Sequence, residues 1–217
     1  LLGNRNSIVF AFQANVYCVL LCKILNIKVI IRANSSPSGW NHNFIKKYFY
    51  KQIVSKANII IVNSFQFQSQ MWSELDLKTK CIYNPLNISN LKRMSKKGKK
   101  KSFFKNNSAL KIINIGRFTE QKDQITILRA INYLKKELNF RLIIIGHGDK
   151  KQKLVNFIKK NHLSKSVKIN DTITNPYGVL NQSDVFILSS KFEGLPNVLL
   201  EAAALKKFII STKCPSG

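Results

Sequence analysis

Two carboxylates and two cations stand out by their spacing. Glu193 and Glu201 are separated by seven residues, Gly194-Leu195-Pro196-Asn197-Val198-Leu199-Leu200, and Lys122 lies five residues beyond Arg117, which directly follows Gly116. Pro196 suits the first turn of a helix, where a missing N–H costs nothing, and Val198 to Leu205 is a good helix-forming run. A helix is therefore expected to start close to Gly194-Leu195, offering its free amides and the positive end of its dipole to a phosphate. Carboxylates beside that end would repel a phosphate, so Glu193 and Glu201 are read as accepting hydrogen bonds from neutral hydroxyls, which implies a sugar on each side of a diphosphate. Arg117 and Lys122 suit the other half of that chemistry. A departing diphosphate gains negative charge, and an Arg with a Lys can neutralise it without a metal ion.

These side chains need a frame, and the second half of the chain supplies one. Lys111 to Gly116 reads as a strand leading to a helix that begins near Asp123, with Ile127, Ile131, Leu134 and Leu138 as its buried stripe. Leu142 to Ile145 is the next strand and ends in Gly146-His147-Gly148, a weak nucleotide signal in which glycines let the backbone come close to a ligand. His147 is read as serving the turn. A helix over Lys150 to Asn161, a strand at Val167 to Asn170, a short helix at Pro176 to Leu180, a strand at Asp184 to Leu188 that delivers Ser189 and Ser190, and a strand at Phe208 to Ser211 complete the series. This alternation predicts a doubly wound parallel sheet, whose ligands bind outside the carboxyl ends of its strands.

The first half repeats the alternation. Strands are expected at Ile8–Phe12, Lys28–Arg32, Ala57–Asn63 and Lys80–Tyr83, and helices at Val16–Leu25, Phe44–Lys56 and from the cap Ser64 to about Leu75. The polar loop Arg32-Ala33-Asn34-Ser35-Ser36-Pro37-Ser38-Gly39-Trp40 falls at a strand's carboxyl end, the place for chemistry in such a fold. On the helix after it, Ile45, Phe49 and Ile53 share a face; its lysines, mixed with Tyr48 and Tyr50, suit an anionic membrane interface or simply a solvated surface. From Leu91 to Lys105 a patternless run of lysines reads as a basic linker.

Lys and Arg outnumber Asp and Glu by 36 to 10, a net charge of +26 that favours polyanions or anionic membranes. No helix-turn-helix, zinc-finger or RNP-type motif accompanies it, so nucleic acid is not expected as a partner. Cys18, Cys22, Cys81 and Cys214 form no C-x-x-C pair and read as reduced thiols, and with His42, His147 and His162 they suggest no metal cluster. Residues 8–22 are the most apolar stretch, but Gln13 and Asn15 interrupt it short of a membrane span.

Glu-x7-Glu with Gly-Leu-Pro after the first Glu, together with Gly-Arg-x4-Lys after a strand, resembles the donor site of retaining GT-B glycosyltransferases of family 4, the glycosyl transferases group 1. The resemblance implies an α/β protein of two Rossmann-like domains facing a cleft: an acceptor-side domain at 1–90, a basic linker at 91–107 and a nucleotide-sugar domain at 108–217. It also implies a chain cut at both ends, with an incomplete first domain and a missing final helix, and hence a fragment expected to fold poorly or to lack activity. By position it makes Arg117, Lys122 and Glu193 catalytic, with Glu201 on the ribose and Gly116, Gly146, Gly148, Gly194, Leu195, Pro196 and Asn197 around the donor. Arg32 and Asn34 would face the acceptor. Many members carry a His near Asn34, so no base is assigned; the leaving phosphate would itself help deprotonate the acceptor on the same face.

The implied activity is retaining transfer of a hexosyl or N-acetylhexosaminyl group from a nucleotide sugar, a UDP-sugar being expected, with neither cofactor nor metal. The implied acceptor is a saccharide or lipid-linked saccharide of cell-surface polysaccharide or lipopolysaccharide synthesis, met in the cytoplasm or on the inner face of the plasma membrane. Two other classes fit the same fold. One is a non-catalytic basic binding module, which should have lost some of Arg117, Lys122, Glu193 and Glu201. The other is a nucleotide-sugar epimerase, which needs no acceptor.

Overall fold

A computed structural model describes residues 7–34, 44–97, 104, 108–171 and 173–214. Ser35 to Trp40 of the polar loop, and the part of the basic run at 98–103 and 105–107, lie outside the described residues. The chain forms two compact units. One comprises the described residues within Leu1–Asn84, Phe192–Leu195 and Cys214–Gly217, the other those within Pro85–Lys191 and Pro196–Lys213.

The first unit is a four-stranded parallel sheet, β1 (Ile8–Ala11), β2 (Lys28–Arg32), β3 (Ile59–Val62) and β4 (Lys80–Cys81), whose strands lie side by side in chain order. Helices α1 (Asn15–Ile24), α2 (Phe44–Val54) and α3 (Phe65–Leu75) connect them. Its core joins Val29, Ile31, Ile60 and Val62 of the strands to Val19, Val54, Phe67 and Met71 of the helices. Ser64 caps α3, its Oγ accepting from the Phe67 amide at 3.1 Å, and Phe67, Met71 and Leu75 then recur every four residues on the buried side. Of the residues expected to share a face of α2, Ile45 and Phe49 are exposed, whereas Ile53 packs on the core with Tyr50 and Val54. With apolar or aromatic residues on both sides of this helix, periodicity alone does not say which side meets the sheet. Burial pushes the Tyr50 hydroxyl up to about 12.

The second unit opens with α4 (Ile88–Lys96), so the first part of the run read as linker is helical. Asn87 caps it through the Asn90 amide, and Leu91 and Ser95, one turn apart, are buried against α7 (Tyr177–Asn181), where Asn175 also donates to the Met94 carbonyl at 2.9 Å. The two inward residues were masked by the lysines around them. The sheet follows, with strand order β7 (Val167–Asn170), β6 (Phe140–Ile145), β5 (Leu110–Ile115), β8 (Val185–Leu188) and β9 (Phe208–Ser211), all parallel. Alternate strand residues serve two layers. Ile112, Leu142, Ile144 and Val185 pack under α5 (Gln124–Leu134) and α6 (Lys151–Lys160), while Ile113, Ile143, Ile145 and Phe186 pack under α7 and α8 (Asn197–Ala204). Leu138, expected on α5, follows its end at Leu134 but still packs on the same core. Chain order runs outward from β5 in both directions, which makes the gap between β5 and β8 the point where the sheet's winding reverses.

Candidate active site

The turn after β5 carries Gly116, Arg117 and Lys122, and several contacts hold it at that reversal point. Phe118 is wholly buried in the core beside α5 and anchors the turn, leaving Arg117 exposed. The buried Gln124 Nε2 donates to the Arg117 carbonyl at 2.9 Å. Ser189, at the end of β8, donates through Oγ to the carbonyls of Lys122 and Asp123, both at 2.9 Å, and the Lys191 amide donates to the Gln121 carbonyl at 2.8 Å. A surface ion pair of Lys191 with Glu120, at 2.6 Å, closes the seam. The cation-bearing turn is thereby fastened to the segment that leads toward Glu193. The Lys122 side chain lies along Gly116, with Cδ 3.6 Å from where a Cβ would stand.

Gly146 and Gly148, after β6, have a definite reason to be glycine. A Cβ on Gly146 would lie 2.0 Å from the Gly116 carbonyl oxygen, and one on Gly148 would lie 2.4 Å from that of Phe118. The close approach these glycines permit is to the neighbouring turn, which they let stack on the β6 end while the Phe118 amide donates to the His147 carbonyl at 2.7 Å. His147 serves that turn through its backbone.

Helix α8 begins at Asn197, later than the expected start at Gly194-Leu195. Pro196, at φ −72° and ψ 107°, holds the chain extended there, so the first helical amides are those of Asn197 and Val198. Glu201 sits in the second turn. The Tyr177 hydroxyl donates to its Oε1 at 3.1 Å. Burial pushes the Glu201 carboxyl above its usual range, against the opposing pull of that hydrogen bond. The Tyr177 hydroxyl is raised as well, by burial and then by the charge of Glu201.

Glu193, Gly194 and Leu195 group with the first unit. Glu193 is buried, and Gly194 lies against the Asn34 carbonyl and the Asn63 side-chain amide, each 3.0 Å from a Cβ built on it. In the same unit the Asn84 amide donates to the Leu195 carbonyl at 3.2 Å and Asn84 Oδ1 accepts from Arg32. Arg32 is thus a strap from the end of β2 to the turn after β4, and Asn34 donates to the Phe12 carbonyl at 2.9 Å. Buried Asn63 keeps an Oδ1 with no partner among the described residues. Arg117, Lys122 and Glu201 therefore belong to one unit, and Glu193, Arg32 and Asn34 to the other.

Three residues of this region carried no role in the sequence reading. Tyr177 follows an Asn-Pro step and lies 24 positions from its partner, and Ser189 and Gln124 act on backbone carbonyls, so none of them forms a spaced motif with the residue it serves.

Open parallel α/β sheets bind their ligands outside the carboxyl ends of the strands, at the reversal of strand order. The glycosyl transferases group 1 family matches residues 95–217, more than half of the chain, and the protein belongs to that family. It is 38% identical over 178 residues to an uncharacterized glycosyltransferase of Methanocaldococcus jannaschii, covering 79% of this chain and 42% of that protein. It is 28% identical over 228 residues to the N-acetylgalactosamine-N,N'-diacetylbacillosaminyl-diphospho-undecaprenol 4-alpha-N-acetylgalactosaminyltransferase of Campylobacter jejuni, covering all of this chain and 60% of that protein. The chain thus spans between two fifths and three fifths of these relatives' lengths. Among solved structures, Anabaena HepE in complex with UDP superposes with a TM-score of 0.77 at 16% identity, over 97% of this chain and 60% of that one, which establishes the GT-B fold.

Proposed function

We propose that this chain is the catalytic part of a retaining, family 4 type glycosyltransferase that moves a hexosyl or N-acetylhexosaminyl group from a UDP-sugar to a saccharide or lipid-linked acceptor in cell-surface polysaccharide synthesis. The observation that carries this reading is the fastening of the Arg117–Lys122 turn to the end of β8 by Ser189, at the sheet's reversal point. Arg117 and Lys122 take the charge of the departing diphosphate, a task that in their absence would fall to a metal ion. Glu201 accepts from the ribose hydroxyls, Glu193 orients the transferred sugar, and the leaving phosphate takes the acceptor's proton on the same face. The α8 amides and the Gly194-Leu195 segment meet the diphosphate.

The relatives support the class of acceptor. The Campylobacter relative is named for a diphospho-undecaprenol acceptor, and a 31% identical Staphylococcus aureus relative for capsular polysaccharide biosynthesis. No helix among the described residues is long and apolar enough to cross a membrane. The proposed setting is the cytoplasmic side of the plasma membrane, peripherally held on anionic lipid, and the proposed donor chemistry needs no cofactor.

The test is calorimetric titration of the full-length protein with a panel of nucleoside diphosphates and their sugars, followed by turnover with a lipid-linked saccharide and NMR assignment of the product's anomer. Saturable binding of UDP and its sugars, with retention in the product, is the expected result. Lack of binding to every nucleoside diphosphate overturns the donor site, an inverted product overturns the retaining mechanism, and release of an altered free sugar without acceptor turns the reading to an epimerase.

A further inference from the structure

Glu201 is held by a neutral donor in a chain crowded with cations. The protein carries 36 Lys and Arg against 10 Asp and Glu, yet no lysine or arginine among the described residues pairs with this carboxylate. Its partner among those residues is the Tyr177 hydroxyl, which donates to Oε1 at 3.1 Å. Oε2 has no partner among the described residues and is not closed off from solvent by them. A lysine in that place would bring three donors on a flexible stem and neutralise the carboxylate, whereas a phenol engages one oxygen from a rigid ring and brings no charge.

The phenol is itself fixed in place. Helix α7 has 5 residues, too few to hold together by its own hydrogen bonds, and its surroundings hold it instead. Val179 and Leu180 are buried in the core that also contains Ala202 of α8. Just before the helix, Asn175 acts in two directions: its Oδ1 accepts from the Tyr177 amide at 3.2 Å, and its Nδ2 donates to the Met94 carbonyl, in the last turn of α4, at 2.9 Å. Helix α4 packs on α7 and on α8, so the three form one block in which Tyr177 reaches Glu201 across 24 positions of sequence. Burial opposes ionisation of the Glu201 carboxyl and the bond from Tyr177 favours it, so the phenol that limits the carboxylate's rotamers also keeps it an acceptor.

We infer that Tyr177 is a positioning residue for the donor nucleotide: by engaging Glu201 Oε1 it turns Oε2 toward the vicinal hydroxyls of the ribose, and so gives the site its preference for a ribonucleotide over one that lacks those hydroxyls. This rests on the reading that Glu201 accepts from the ribose, and adds to it a residue that does not itself touch the donor. Members of one hydrogen-bond network are energetically coupled, so removing Tyr177 should matter only while Glu201 has a hydroxyl to hold.

The experiment is calorimetric titration of the full-length protein with UDP and with 2′,3′-dideoxy-UDP, at pH 6.5 and 8.0, for the unaltered sequence, Tyr177→Phe, Glu201→Gln and the double variant. The unaltered protein should prefer UDP by at least about tenfold, the range for hydrogen bonds to a charged group. Tyr177→Phe should weaken UDP binding about tenfold at both pH values and dideoxy-UDP binding by less than about twofold, and the double variant should bind UDP no more weakly than Glu201→Gln alone, as coupled residues do. Retained dideoxy-UDP binding shows at the same time that the variant keeps its fold. The proposal is overturned by unchanged UDP affinity in Tyr177→Phe, by equal weakening of both nucleotides, which makes the residue merely structural, by a loss that disappears at pH 8.0, which reduces its role to keeping the carboxyl ionised, or by additive losses in the double variant. Failure of the underlying reading looks different: the unaltered protein then binds the two nucleotides equally or binds neither, and the positioning role falls with it.

Discussion

Lys122 and Glu201 illustrate how little of a residue's chemistry lies in the residue alone. Lys122 becomes a phosphate ligand in the proposed reaction because its backbone is pinned by Ser189 and its stem lies over Gly116. Lys122→Ala should therefore leave the melting temperature nearly unchanged and lower turnover by about 100- to 1000-fold, the range for removing one preorganised stabiliser of developing negative charge; a loss under tenfold would remove Lys122 from the mechanism. Glu201 is legible differently. Its folded-state carboxyl holds a proton to higher pH than the ordinary value of 4.5, so the folded form is favoured below that value and loses this contribution as pH rises through the raised one. Glu201→Gln, which cannot ionise, should match the unaltered protein in melting temperature at pH 4.5 and exceed it at pH 7.5, while binding UDP at least tenfold more weakly. A variant less stable at pH 7.5 would mean that the ionised carboxylate supports the fold. Tyr177→Phe removes the bond that draws the Glu201 pKa down, so the acid limb of UDP affinity should move to higher pH.

At the scale of elements, the sequence made the strands and most helix positions plain because apolar runs and helical spacing have one reading when a single face is apolar. It failed where that condition lapsed. On α1 and α2 both faces offer apolar residues, so the shared face of Ile45, Phe49 and Ile53 did not say which side meets the sheet, and on α4 the inward pair Leu91 and Ser95 was hidden among lysines. The candidate residues were read from the spacings Gly-Arg-x4-Lys and Glu-x7-Glu, whereas the contacts that hold the Arg117–Lys122 turn were not, because Ser189 and Gln124 act on carbonyls that carry no sequence signature. Those supports set a comparison between two glycines. Gly146→Ala drives a Cβ into the Gly116 carbonyl, which has no flexible end to swing aside, and should cost about 1–3 kcal/mol as overpacking does. Gly116→Ala meets only the Lys122 stem at ordinary contact distance and should cost much less. Urea denaturation of both variants checks the order, and equal costs would show that the β6 turn yields without displacing Arg117.

Across the whole molecule, 36 basic residues face 10 acidic ones, and salt acts on that imbalance in two opposing ways. The ion pairs among the described residues, such as Lys47–Glu74, Lys151–Asp171 and Lys191–Glu120, weaken as salt is added, but exposed or half-exposed pairs of this kind contribute little individually. Repulsion among the excess cations weakens as well, and it acts between every pair within a Debye length, which shrinks from about 30 Å at 0.01 M to about 8 Å at 0.15 M. With +26 net, relief of repulsion should win, so the melting temperature should climb by several degrees between 10 and 150 mM sodium chloride. Over the same interval binding to anionic vesicles should weaken, because the same screening removes the pull of acidic headgroups on the excess cations. Opposite slopes for stability and membrane affinity are the signature of a surplus charge kept for an external partner. A melting temperature that falls with salt would mean instead that the cations are engaged within the fold, leaving too little free charge to draw the protein to a membrane.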